Sequence, residues 1–136
     1  MSSRSRARVT RRADGASPPA GSTVAIGQRN EDRAVAALAS AGYRVVERNV
    51  RLRICELDAV AYDGDTLVFV EVRSRRDHQF GGGLAAVPHS KQRQVARAAA
   101  VYLTLRRPVF RACRFDVVAI TGDELVIVRD AFRITW

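Results

Sequence analysis

Near the N-terminus apolar residues recur at spacings of three and four: Ala34, Val35 and Leu38. That period predicts a helix from about Ile26 to Ala41, closed by Gly42 at its C-terminal cap. Tyr43 to Val50 reads as a strand that is polar on one side. Glu56 to Tyr62 and Thr66 to Arg73 form two further alternating runs, joined by Asp63-Gly64-Asp65. Asp-Gly between alternating runs predicts a β-hairpin. Asp77 to Val87, with Gly81-Gly82-Gly83, predicts a mobile loop. A second helix runs to about Leu105, with Pro88 near its first turn and Ser90 as a nearby N-cap candidate. On it Gln92, Val95, Ala99 and Tyr102 track one face. Strands are expected at Ala112 to Ile120 and Glu124 to Arg129, separated by Thr121-Gly122-Asp123. The order α-β-β-β-α-β-β predicts an α/β fold: a mixed β-sheet flanked by helices.

The hairpin places chemistry on one face. With two or four residues in its loop, even positions of the first strand and odd positions of the second point the same way, gathering Glu56, Asp58, Glu71 and Arg73. Asp58 and Glu71 become opposite or diagonal neighbours, about 5–8 Å apart at the β-carbons, where like charges repel. A divalent cation neutralises such a pair. The alternative is a surface ion-pair cluster, with Arg51, Arg53, Arg73 and Arg75 as partners. Glu31 lies one turn before Val35, near the buried face of the first helix. It is either a carboxylate facing the helix dipole or one that reaches a metal site beneath the helix. Phosphodiester hydrolysis needs an activated water, stabilised phosphoryl charge and a neutralised leaving alkoxide. A metal held by one or two carboxylates serves all three needs, and a nearby cation such as Arg73 stabilises developing charge.

Composition sharpens the choice of partner. The 136 residues suit one domain, 47% of them apolar, with a net charge of +9 and a pI of about 11.1. Basic chains favour polyanionic partners; a solvated basic surface, or an arginine bias in base composition, is the plainer explanation. The basic residues are 22 Arg and the single Lys91. Residues 1–22 carry +4 of the charge, from five Arg and one Asp, and +5 remains for residues 23–136. The first segment is polar, includes Ser17-Pro18-Pro19, and is expected to be a flexible basic arm adding nonspecific phosphate affinity. Cys55 and Cys113 have no metal-type spacing and are expected to be reduced, in a cytoplasmic protein. No stretch approaches the roughly 20 apolar residues of a membrane span, and no secretory signal follows the first arginines.

Other constellations are weaker. No Walker-type lysine follows the three glycines. His78 and His89 have no cysteine partner and fit surface positions. No Ser-His-Asp grouping is visible. The aromatics, Phe110 among them, mostly fit core or strand positions and form no RNA-stacking motif.

Several stretches taken together resemble the YraN-like family of small bacterial proteins. They are Gly27 to Glu31, Gly42-Tyr43, Arg48-Asn49, Glu56-Leu57-Asp58, Phe69-Val70-Glu71-Val72, Arg75, Phe80-Gly81, Lys91-Gln92-Arg93 and Ala131-Phe132. The resemblance runs from about Ile26 to Phe132. That family belongs to the restriction-endonuclease-like superfamily and is similar to archaeal-type Holliday junction resolvases. The resemblance implies a PD-(D/E)XK site: Asp58 as first acid, Glu71 as second with the Val72 carbonyl facing the metal, Glu31 as helix acid, and Arg73 in the lysine position. It also matches Asp116 to a family acid, for which a structural role is expected. Two departures stand out. Cys55 replaces the usual glycine, and Arg73 replaces lysine; arginine clamps phosphate but cannot act as a base.

The sequence therefore reads as a restriction-endonuclease-like domain over residues 23–136 that binds DNA, branched or otherwise structured, and cleaves it with Mg²⁺ or Mn²⁺. Phosphate contacts are expected from Arg73, Arg75, Lys91, Gln92 and Arg93. These position the backbone without reading sequence. A homodimer would match the two symmetric strands of a four-way junction; the chain carries no signal for one. The rival readings are a catalytically silent nucleic-acid binder and a protein-interaction module.

Overall fold

The computed structural model describes residues 3–4, 23–53, 55–75 and 86–134. In chain order the elements are β1 (Ser3–Arg4), α1 (Thr23–Ser40), β2 (Arg44–Arg51), β3 (Glu56–Asp63), β4 (Thr66–Arg75), α2 (His89–Arg106), β5 (Ala112–Thr121) and β6 (Glu124–Phe132). The strands form one mixed sheet in the order β1-β6-β5-β4-β3-β2. Among the described residues only the β4–β5 pair is parallel, and α2 is the crossover that a parallel pair requires. From α1 onward the order is the expected α-β-β-β-α-β-β. The addition is β1, two residues of the basic arm paired with β6. The rest of that arm, and the glycine loop with His78, lie outside the described residues.

The helices cover opposite faces of the sheet. Ala34, Ala37 and Leu38 of α1 cluster with Tyr43, Ala59, Ala61, Val68, Val70, Val118 and Ile120. Val95, Ala99 and Tyr102 of α2 cluster with Val60, Leu67, Phe69, Phe115 and Val117. The central strand β4 is buried on both sides from Leu67 to Glu71. Phe69 stacks on Phe115 with ring centroids 5.6 Å apart and meets Tyr102 edge-on at 5.8 Å. Phe110 departs from the expected core placement. It sits outside β5 and is partly exposed.

Capping explains the helix ends. Gly42 holds φ +95, its N–H bonds Ala39 O at 3.1 Å, and the Tyr43 N–H reaches Leu38 O at 3.0 Å. This is a Schellman ending, with Tyr43 packed near Leu38 in the same cluster. A Cβ added at Gly42 meets no atom within 4 Å. The cost of Gly42→Ala is therefore that of the backbone conformation alone. It is expected to lower stability by about 1–2 kcal/mol, read as a lower urea midpoint with an unchanged slope. At α2 the N-cap is Pro88, without a side-chain cap. Ser90 falls inside the helix, because the chain is already helical from His89.

Candidate active site

A two-residue loop, Gly64–Asp65, joins β3 to β4, and Gly64 sits at φ +61 in its first position. The tight loop fixes the register from Asp63↔Thr66 to Ala59↔Val70. One further step along the same ladder sets Asp58 opposite Glu71. The side chains face each other, with Glu71 within hydrogen-bonding reach of Asp58. The Val72 N–H donates to Asp58 Oδ2 at 2.8 Å. Burial pushes Asp58 up to about 7; the hydrogen bond and the charge of Glu71 add to this, while the Val72 N–H and the charge of Lys91 oppose it.

Glu71 is only 6% exposed. Lys91, in the first turn of α2, brings Nζ to 3.5 Å from Glu71 Oε2. The crossover delivers this contact, since it swings α2 over the face on which Glu71 lies. Arg73 and Arg75 follow Glu71 on the same side of β4 and are partly buried. Gln92 Nε2 donates to Val87 O at 2.8 Å and ties the start of α2 to the residues just before it. Arg93 is exposed.

On the other side of Asp58 stands Glu31 of α1. Glu31, Glu56 and Asp58 each offer one oxygen, and these lie within 4.8 Å of one another. Burial is the main force raising Glu31, with Asp58 and Glu56 adding to it; the amide of Asn49 and the charge of Arg48 oppose it. Asn49 adopts φ +50, a left-handed conformation that asparagine tolerates better than most residues. Its contact with Glu31 went unassigned in the sequence. The signal available there was an asparagine closing a strand beside the acid-bearing hairpin. Glu56 is gathered more closely with Glu31 and Asp58 than its spacing required. Its ion pair with Arg51, at 3.6 Å, involves an arginine side chain 86% exposed, and such surface pairs contribute little.

The sequence-derived acids thus form two linked groups that share Asp58: a trio with Glu31 and Glu56, and a close pair with Glu71. All the donors are carboxylate oxygens, the ligand type that Mg²⁺ and Mn²⁺ take. A bound divalent cation would offset the negative charge that these acids crowd together.

Cys55 and Cys113 are free. The Cys55 thiol donates to Glu56 O at 3.3 Å, and burial pushes the Cys113 thiol up. Asp116 is fully buried. It accepts from Arg114 Nε and Nη2, each at 2.8 Å, from the Tyr43 hydroxyl, and from the Asp130 N–H at 2.9 Å. This is a structural clamp, away from the acids above. His89 is exposed. No helix among the described residues is long and apolar enough to cross a membrane.

Residues 30–120 match the pattern of the uncharacterised protein family UPF0102. The chain belongs to that family. A UPF0102 protein of Syntrophus aciditrophicus is 40% identical over 114 residues, covering 81% of this chain and 90% of the relative. One from Dechloromonas aromatica is 46% identical over 110 residues, covering 81% and 90%. One from Serratia proteamaculans is 47% identical over 111 residues, covering 80% and 95%. The matched region carries Glu31, Asn49, Glu56, Asp58, Glu71 and Lys91. The whole acid cluster therefore lies within the family domain.

Proposed function

We propose that this UPF0102 domain is a metal-dependent endonuclease that binds branched or otherwise structured DNA and hydrolyses a phosphodiester. The observation that carries the reading is Asp58 set face to face with the buried Glu71, where burial and the second acid push Asp58 up to about 7. Such a pair has little structural purpose, since two apolar residues would pack there without electrostatic cost. Asp58, Glu71 and Glu31 would hold Mg²⁺ or Mn²⁺, with Glu56 beside them. When bound, the ion lowers the pKa of a water and offsets phosphate charge.

The chain's own groups do the rest. The Val72 N–H orients Asp58. The Asn49 amide supports Glu31. Lys91 keeps cationic charge next to Glu71, where a substrate phosphate must approach. Arg73 clamps phosphate and stabilises developing charge, but it does not take up a proton at working pH. Contacts of this kind to the backbone give weak sequence preference and steep salt dependence.

The direct test incubates the full chain with a labelled four-way junction and the matching linear duplex, with Mn²⁺, with Mg²⁺ or with EDTA. The expected result is metal-dependent cleavage, faster on the junction. Binding without cleavage in either metal would assign the domain to a silent nucleic-acid binder, the outcome that Arg73 in the lysine position favours. No binding to branched or single-stranded probes near physiological salt would reject both readings and leave a protein-interaction module.

A further inference from the structure

At the far end of the β3–β4 hairpin the surface changes character. Tyr62 is four residues along β3 from Asp58, about 13 Å at the rise of an extended strand. There, three of the four exposed large apolar side chains among the described residues fall within one short segment: Leu105 at 61%, Val109 at 90% and Phe110 at 39%. The segment is held in place. Arg107 ends α2 in a left-handed conformation. The Tyr62 hydroxyl donates to Val109 O at 2.8 Å, and the Arg111 N–H bonds Asp65 O at 3.0 Å. The exposed apolar residues are therefore displayed by fixed backbone.

A cavity of about 420 Å³ opens beside them, lined by Arg44, Tyr62, Asp65, Val109, Phe110 and Arg111. The Arg44 guanidinium lies 4.8 Å from the Tyr62 ring centroid, so one wall is both apolar and cationic. Arg106 is neutralised by Glu47 at 3.0 Å. Arg44, Arg107 and Arg111 make no ion pair with a carboxylate among the described residues. Asp65 is the acid in the lining, which leaves the rim with net positive charge.

We propose that this corner docks an acidic protein segment carrying a bulky apolar side chain. The apolar group fills the cavity against Tyr62, Val109 and Phe110, and the carboxylates meet Arg44, Arg107 and Arg111. Exposed apolar surface ringed by charge marks such contacts, and a buried apolar anchor within a polar rim is how they gain affinity. A second copy of this chain fits poorly, because it brings the same cationic rim. Nucleic acid is the weaker occupant. Leu105 and Val109 offer bases no flat face, and the Tyr62 ring already carries Arg44, which leaves Phe110 as the stacking platform.

The test is fluorescence anisotropy on the full chain with a short labelled peptide of aspartates ending in phenylalanine. A second peptide replaces that phenylalanine by glycine, and an oligothymidylate serves as the nucleic-acid arm. The phenylalanine peptide should bind about ten-fold or more tightly than the glycine peptide, and Val109→Glu and Arg111→Ala should each weaken it about ten-fold, as anchor and rim residues do. Val109 is 90% exposed, so its substitution leaves the fold intact, which melting curves check. Equal affinity for the two peptides, or wild-type affinity in both variants, overturns the proposal. Oligothymidylate binding that is weakened by the same two substitutions assigns the corner to nucleic acid and equally overturns it.

Discussion

Asp58→Asn is expected to make the protein more stable above pH 7 while removing the cleavage activity proposed for it. Asp58 rises from 3.8 to about 7 in the folded chain. The sign follows from proton counting. Below about pH 4 the carboxyl is protonated in both the folded and unfolded states, and it favours neither. Between pH 4 and 7 the unfolded chain releases the proton and the folded chain keeps it. Stability therefore falls as pH rises through this window and levels off above 7. At 1.36 kcal/mol per unit, the loss is on the order of 4 kcal/mol. An asparagine does not titrate, still accepts the Val72 N–H, and offers Glu71 a donor. Its advantage over wild type should be near zero at pH 4 and about 4 kcal/mol at pH 8, measured as urea midpoints across that range. A gain that does not vary with pH would show that the titration of Asp58 is not its source. On the proposed function the same substitution lowers cleavage by at least roughly a hundredfold, the scale of removing one group that stabilises transition-state charge. Mn²⁺ should raise the melting temperature of the wild type at pH 8 and leave that of the variant unchanged, because ligand binding stabilises only the form that binds.

Asp116→Ala is expected to act in the opposite direction, costing about 3–5 kcal/mol, the range for removing one partner of a buried ion pair. Its carboxylate joins three parts of the chain. Arg114 reaches it along β5, Tyr43 reaches it from the end of α1, and the Asp130 N–H reaches it from β6. Asp130 itself holds φ +53, beside the register shift between Phe115 and Val117. Without the carboxylate, the buried Tyr43 hydroxyl and the Asp130 N–H lose their acceptor, and Arg114, 20% exposed, keeps Asp63 at 2.9 Å and the Tyr43 hydroxyl at 3.3 Å. The Tyr43 hydroxyl, pushed up to about 12 by burial and by Asp116, cannot compensate by ionising at neutral pH. The melting temperature should fall by roughly 10 °C. Cleavage per folded molecule should stay near that of wild type, since no atom of the clamp touches the Asp58–Glu71 pair. Loss of activity below the melting transition would give Asp116 a role beyond structure.

Much of the site was legible because it is local. The turn at Gly64 puts even positions of β3 and odd positions of β4 on one face, whether its loop has two residues or four. Opposite and diagonal placements of Asp58 and Glu71 were both open, and the two-residue Gly64–Asp65 loop made them opposite. The helical period of α1 put Glu31 near the buried face in the same way. Two residues fell elsewhere than local pattern suggested, and in each case the surrounding backbone decided the matter. Ser90 looked like an N-cap, but helical backbone already begins at His89. Phe110 looked like a strand aromatic, but the turn after Arg107 and the Tyr62–Val109 bond hold it at the surface.

What the sequence determined by itself was the order of the elements and the one-sided placement of acids on a hairpin, because side-chain direction alternates along any strand and a loop of two or of four residues keeps the same faces together. Tertiary structure alone decided that Lys91 stands against Glu71, that Glu31 closes on Asp58 from another layer, and that Asp116 is a clamp. Each of these contacts joins segments far apart in the chain. Only the crossover through α2 and the packing of helices on both faces of the sheet bring them within reach of one another.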